Sequence, residues 1–358
     1  MRIGELTTDL PIVGAPMAGG PTTPELVAGV SDGGGLGTLA AGYLTVDALE
    51  ALVADVERLT SAPYAVNLFL GGPDVLADPE IGDRMRETVD DYRRELAPEA
   101  ERLGVEPGEA RYSDEFVDDK IAMLARYRPA LISVTFGAPS AHLVARVHND
   151  VGVPLAVTVT SVGEATRAVA LGADALIAQG IEAGGHRGLW RDDPLDPLGG
   201  PALPTTELVD EIVAVTDRPV IAAGGIADSA AVRALTDRGA AAAQVGTLLL
   251  CRDEAGTSAV HRGALLERRY TDTLVTRAFS GRSARSLRNR FAEQHSATAP
   301  AAYPHVHHVT KPLRAAAAKA GDPDGVNLWA GTGWRAARSG PVRELMDQFR
   351  AELGTPRD

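Results

Sequence analysis

His186 is the residue around which chemistry gathers in this chain. It stands in the run Gln179-Gly180-Ile181-Glu182-Ala183-Gly184-Gly185-His186-Arg187-Gly188, directly after the apolar stretch 174–178. Gly184, Gly185, Gly188 and the small Ala183 let backbone come close to something flat or charged. An imidazole beside such a contact can act on the bound molecule. A plain structural turn needs neither the histidine nor the glutamine that opens the run.

Two more glycine-containing loops follow apolar runs, Gly224-Gly225 and Gly246-Thr247, the latter led in by Gln244-Val245. Backbone N–H groups and a hydroxyl presented together make a phosphate cup, although either loop alone reads equally well as an ordinary turn. Ala15-Pro16-Met17, Asn67 and Gln179 offer contacts to a flat molecule. Their amides can serve the donors and acceptors of a flavin edge, or can cap buried backbone and nothing more. Phosphate and flat ring together suggest flavin mononucleotide, FMN. His305, His307 and His308 lack a nearby carboxylate or cysteine, so no metal is expected and they read as surface or supporting histidines. Residues 329–334, with a tryptophan at each end, read as a packed turn anchoring the tail, with a place in the pocket wall as the alternative.

The elements that must carry these residues are short. Apolar runs at 11–15, 35–40, 64–69, 130–136, 154–159, 174–178, 219–223 and 241–245 predict strands. Helices are predicted over 23–32, 46–59, 139–150, 162–171, 206–216 and 229–238, with Thr23 and Ser229 placed to cap. Eight βα units in series predict a closed (β/α)8 TIM barrel, not an open doubly wound sheet, which would carry a first-turn G-x-G-x-x-G. In such a barrel the functional residues leave the carboxyl ends of the strands, which is where the residues above fall. Residues 1–269 therefore read as the FMN-binding barrel. A charged helical insertion at 71–129 (helices over 83–103 and 114–128) follows strand three, and 270–358 forms a substrate-covering C-terminal segment. The loop 189–203, rich in proline and charge, reads as a lid over the barrel mouth.

The chain has 358 residues, 45% of them hydrophobic and only 4% aromatic, enough for a large core of small aliphatic side chains. A net charge of −13 argues against nucleic acid or a membrane surface as partner. The local exception, Arg277, Arg282, Arg285, Arg288 and Arg290, reads as a solvated face or a set of ion pairs. Cys251 is the sole cysteine, which excludes an intrachain disulfide and a zinc–thiolate cluster. No signal peptide and no long apolar run is evident, so a cytoplasmic location is expected. A homodimer is left open.

Pro11 to Gly20, Gly33-Gly34-Gly35-Leu36-Gly37, Val66-Asn67-Leu68-Phe69, the His186 run, Ala222-Ala223-Gly224-Gly225-Ile226 and Gln244 to Thr247 together resemble the nitronate monooxygenases, formerly 2-nitropropane dioxygenases. The resemblance implies an FMN-containing TIM barrel that oxidises alkyl nitronates such as propionate 3-nitronate with O2 to a carbonyl compound and nitrite. It implies FMN contacts from Ala15, Pro16, Met17, Asn67, Gln179, Gly184, Gly185, Gly224, Gly225, Gln244, Val245, Gly246 and Thr247, with His186 as the active-site histidine. A charged His186 would attract nitro oxygens and a neutral one would remove a proton; an ordinary pKa of about 6.5 leaves both open. Tyr303, His307 and Lys311 resemble the family's tail motif for an anionic nitronate. Members carrying that motif have a second tyrosine where His307 stands, which leaves Tyr303 and Lys311 as the anion partners. FMN-dependent NAD(P)H reductases of the enoyl-acyl-carrier-protein or quinone type share the Glu182-to-His186 stretch; the tail motif and the insertion favour the monooxygenase. A non-catalytic flavin- or phosphate-ligand-binding protein would need neither His186 nor Lys311.

Overall fold

A computed structural model describes residues 1–354, so the last four residues of the expected 270–358 segment lie outside the described residues. Eight parallel strands alternate with helices: Ile12–Gly14, Gly37–Ala40, Tyr64–Phe69, Leu131–Thr135, Leu155–Val159, Ala175–Gln179, Val220–Ala223 and Ala242–Val245. They are numbered one to eight below. Each pairs with its sequence neighbour, and strand eight pairs with strand one through Gln244↔Val13. Leu36 joins strands one and two: its amide donates to Ile12 O and its carbonyl accepts from Gly14 N, each at 2.9 Å. The barrel is thereby closed, and every expected strand is found within a residue or two.

The strands alternate faces with a period of two. Val13, Ala65, Leu131, Ala156, Ala175, Ile177, Ile221 and Ala242 fill the barrel interior, joined by Ile3 of the hairpin Arg2–Ile3 and Leu6–Thr7. Their neighbours Ile12, Val66, Leu68, Val157, Leu176, Val220 and Val245 face the helices and build the main core. Thr23 caps its helix as expected, accepting from Leu26 N at 3.0 Å. Asp228, not Ser229, caps the helix Ser229–Thr236, accepting from Ala231 N at 2.8 Å. The carboxylate one residue earlier takes the capping role, and Ser229 instead donates to Glu352.

The insertion differs from its expectation in one respect. The helix predicted over 83–103 is two, Gly82–Glu95 and Ala97–Leu103, because Pro98 has no N–H to continue a helix and fits only a first turn. A third helix, Val117–Tyr127, completes it. Val89, Tyr92 and Leu96 pack with Phe279, Phe291, Val306 and Leu313 of the tail in a core of their own. Tyr92 Oη donates to Ala278 O at 2.7 Å within that core. The tail strand Ala284–Leu287 lies between Thr273–Thr276 and the two-residue strand Gly185–His186, with Ala284 opposite His186. Among the described residues no helix is long and apolar enough to cross a membrane.

Candidate active site

The floor of the site follows from strand parity. Two residues beyond interior Val13, Ala65, Ile177 and Ala242 lie Ala15, Asn67, Gln179 and Gln244, which form the uppermost layer of the barrel. They open into a cavity of about 350 Å³, lined also by Pro16, Met17, Gly184, Gly185, His186, Gly224, Gly225, Gly246, Thr247 and His307. Val245 departs from its expected place: odd in register, it turns its side chain into the helix-side core. Tyr303 packs its ring 5.7 Å from that of His186. Lys311 is exposed and does not line the cavity.

Asn67 is 1% exposed. Its Nδ2 donates to Ser133 Oγ at 2.9 Å and Thr135 Oγ1 at 3.1 Å, while Oδ1 has no partner. A buried orphan acceptor is costly and calls for a donor from a bound molecule. Gln179 is spent differently. Its Nε2 donates to His186 O at 3.1 Å and its Oε1 accepts from Gly188 N at 2.6 Å, so it braces the His186 loop. Gly224 and Gly225 adopt φ of +121° and +72°, conformations that favour glycine. Pairing of Ala223 with Gln244 sets that turn beside Gly246-Thr247. The donor set fits the phosphate and ring of FMN.

The roof comes from the tail. Gly331 N donates to Thr247 Oγ1 at 3.0 Å and Thr332 N to Glu182 O at 3.0 Å, so residues 329–334 anchor the tail and also wall the cavity. His186 Nε2 lies 2.8 Å from Ser280 Oγ, and its ring packs on Trp329, Phe136 and Tyr303. Burial, reinforced by the charges of Arg282 and Arg314, pushes His186 down to about 3. The imidazole is therefore neutral near pH 7 in this structure, a state suited to a base or a hydrogen-bonding group. His261, in the same cavity wall, is pushed down to about 4 by burial and pairs with Trp329 O at 3.0 Å. Burial raises the Tyr43 phenol to about 12 and Tyr303 well above its ordinary value, so both stay protonated.

The arginine cluster is only partly a set of ion pairs. Arg277 meets Asp192 at 2.6 Å, Arg290 meets Glu99, and Arg288 reaches Asp272 and Glu293. Arg285 instead donates to Ile181 O and Thr273 Oγ1, and buried Arg282 to the carbonyls of Arg187 and Leu189. The guanidinium of Arg282 lies 4.1 Å over the Phe136 ring. The expected lid is bolted down: Arg277 also donates to Asp193 O and Asp196 O, and Arg187 to the carbonyls of Leu198, Gly200 and Pro201.

Reasoning from sequence passed over Tyr43, Phe136, Arg314, Asn327 and Ser280. Tyr43 and Phe136 follow strands two and four, so the strand-end rule could have found them. Both have positive φ, +67° and +81°. Arg314, three residues past Lys311, shares its helix His305–Lys319 and lines the cavity.

The sequence profile of the nitronate monooxygenases matches residues 2–352. The chain belongs to the nitronate monooxygenase family. A probable nitronate monooxygenase of Staphylococcus aureus (strain Newman) is 38% identical over 347 residues, spanning 96% of this chain and 94% of the relative. A solved nitroalkane oxidase from Streptomyces ansochromogenes superposes with a TM-score of 0.90 at 43% identity, over 97% of this chain and 96% of that one. FabK from Thermotoga maritima, at 24% identity and a TM-score of 0.72 over 97% and 93%, shares the fold. As a nitronate monooxygenase family member the chain is an enzyme of the flavin oxidoreductase class, and nitronate oxidation in the broad sense is its chemistry.

Proposed function

We propose that the chain binds FMN in this cavity and uses O2 to convert alkyl nitronates of the propionate 3-nitronate kind to a carbonyl compound and nitrite. The observation that carries the reading is the meeting, in a single cavity, of the unpaired Asn67 Oδ1, the Gly224-Gly225 turn beside Thr247, and a neutral His186. Gly224, Gly225, Gly246 and Thr247 would hold the phosphate. Ala15, Pro16, Met17, Asn67, Gly184 and Gly185 would border the ring. FMN, when bound, supplies the electron acceptor and the path to O2.

The chain's own residues do the rest. Ser280 holds His186 by Nε2, so Nδ1 is the ring nitrogen with no protein partner among the described residues. A nitronate is already an anion and asks for no proton transfer at the start. For a neutral nitroalkane, Nδ1 accepts the α-proton and the C–H electron pair passes into the nitro group. Tyr303 and Trp329 pack against the His186 ring and limit the water that reaches it.

The test is to mix purified holoprotein anaerobically with propionate 3-nitronate, or with NADH or NADPH, and follow the flavin absorbance. Reduction of the flavin by nitronate, with nicotinamides inert, is the expected result. Bleaching by NADH or NADPH with nitronate inert would move the chain to the reductases, and a protein that takes up no FMN would overturn both readings.

A further inference from the structure

Arg314 presents a cation that the protein itself leaves unbalanced. Protein surrounds it except on the cavity side, and its neighbours are all uncharged. Nε donates to Thr310 Oγ1 at 3.1 Å and Nη1 to Asn327 Oδ1 at 3.0 Å. Nη2 donates to His307 O at 3.0 Å and lies 3.3 Å from His307 Nδ1. A guanidinium has five N–H donors. Those four contacts leave one N–H on Nη1 without a protein acceptor among the described residues.

His307 does not alter this balance. Facing an obligate donor, its Nδ1 must accept, and burial together with Arg314 keeps the ring neutral. The ring stacks on Tyr43 at 4.3 Å, which fixes it beside the guanidinium. Arg282, seated over the Phe136 ring, adds a second positive field, and both charges bear on His186. Taking a cation out of water without a counter-ion is costly. Such a cost is recovered when an anion enters, and the chain's net charge of −13 makes a positive cavity all the more a local construction.

We propose that Arg314 binds the anionic end of the substrate, a small planar oxyanion of the nitronate and nitrite class, and that it fills the role the tail motif assigned to Lys311. Arg314 is pre-oriented by four neutral acceptors and faces the cavity; Lys311, one turn earlier, faces solvent. This inference rests on the nitronate reading above for the identity of the oxyanion.

The experiment titrates sodium nitrite into the holoprotein by calorimetry and, separately, measures kcat and KM with propionate 3-nitronate. Arg314→Met should weaken nitrite binding and raise KM about ten- to a hundredfold, the range for a hydrogen bond to a charged group, with a smaller change in kcat. Asn327→Asp is the second variant. It sets a carboxylate against Nη1 with almost no change of shape, and should abolish nitrite binding even if Arg314→Met fails to fold. Unchanged nitrite affinity in either folded variant overturns the proposal. Loss in Lys311→Met with Arg314→Met intact gives the role to Lys311 and also overturns it. If wild type binds nitrite through Arg314 but turns over no nitronate, the anion subsite stands and the nitronate reading falls.

Discussion

The floor and the roof of this cavity are built by different parts of the chain under different rules. The floor is strand-borne: Ala15, Asn67, Gln179 and Gln244 are set by period-two alternation, and glycine loops follow the strands they terminate. The roof is tail-borne: Ser280, Arg282, Tyr303, Arg314 and Trp329 reach the site from irregular turns and from one helix. The floor offers backbone and neutral amides, whereas the two charges that act on the His186 imidazole, Arg282 and Arg314, come from the roof. The barrel thus supplies a place to bind, and the tail supplies the electrostatics.

That division can be broken from either side. His186→Ala removes the residue where floor and roof meet. Turnover of a neutral nitroalkane should fall roughly 10²–10⁴-fold, the usual worth of general base catalysis, while flavin absorbance stays in place. Loss of the flavin with normal folding would make His186 a cofactor residue. The next effect is on stability. Arg277 and Asp192 are each 9% exposed. Asp192→Ala strands a buried guanidinium and should cost about 3–5 kcal/mol in urea unfolding. An unchanged midpoint would show that the loop is not held as described.

Gly184→Ala probes the seam. A Cβ there would meet Gly331 N at 2.4 Å, so residues 330–331 must lift from Thr247. A loss of about 1–3 kcal/mol and a lower flavin content per chain are expected; a crystal structure with the roof in place would contradict it. Acid should act in the same direction on the whole site. His186 and His261 are held near 3 and 4 when folded, against about 6.5 unfolded, so unfolding takes up protons. The contribution of these two histidines to stability should decline as pH falls below about 6.5 and level off near 3, and kcat/KM for a neutral nitroalkane should show no inflection near 6.5. Tyr92→Phe should give the smallest change, about 1 kcal/mol for the bond to Ala278 O, read as a lower melting temperature with activity kept.

The unequal legibility of the two regions has a physical origin. A barrel strand repeats every two residues and ends at a known face, so Asn67, Gln179 and Gly225 could be placed before any coordinates. The resemblance implies an FMN contact from Val245, whereas register sends its side chain into the helix-side core, away from the cavity. Gln179 lines the cavity at a strand end, and its task there, bracing Gly188 and His186, is one that only geometry reveals. In the tail no period exists to count by. Lys311 and Arg314 are both cations on one helix, and nothing local distinguishes the one that faces the cavity from the one that faces water. Arg282 looked like part of a solvated basic run because its acceptors, the carbonyls of Arg187 and Leu189, lie about a hundred positions away along the chain.

The strand Ala284–Leu287 that pairs with His186 has a consequence in time. Strand eight ends at Val245, so a growing chain can close the barrel before Ser280 and the pairing strand have been made. At roughly 5–20 residues per second the interval is on the order of seconds. A chain at that point lacks the partner that anchors its histidine and the tail's arginines. Competence for chemistry therefore arrives as a late and separate event in the life of each newly made chain.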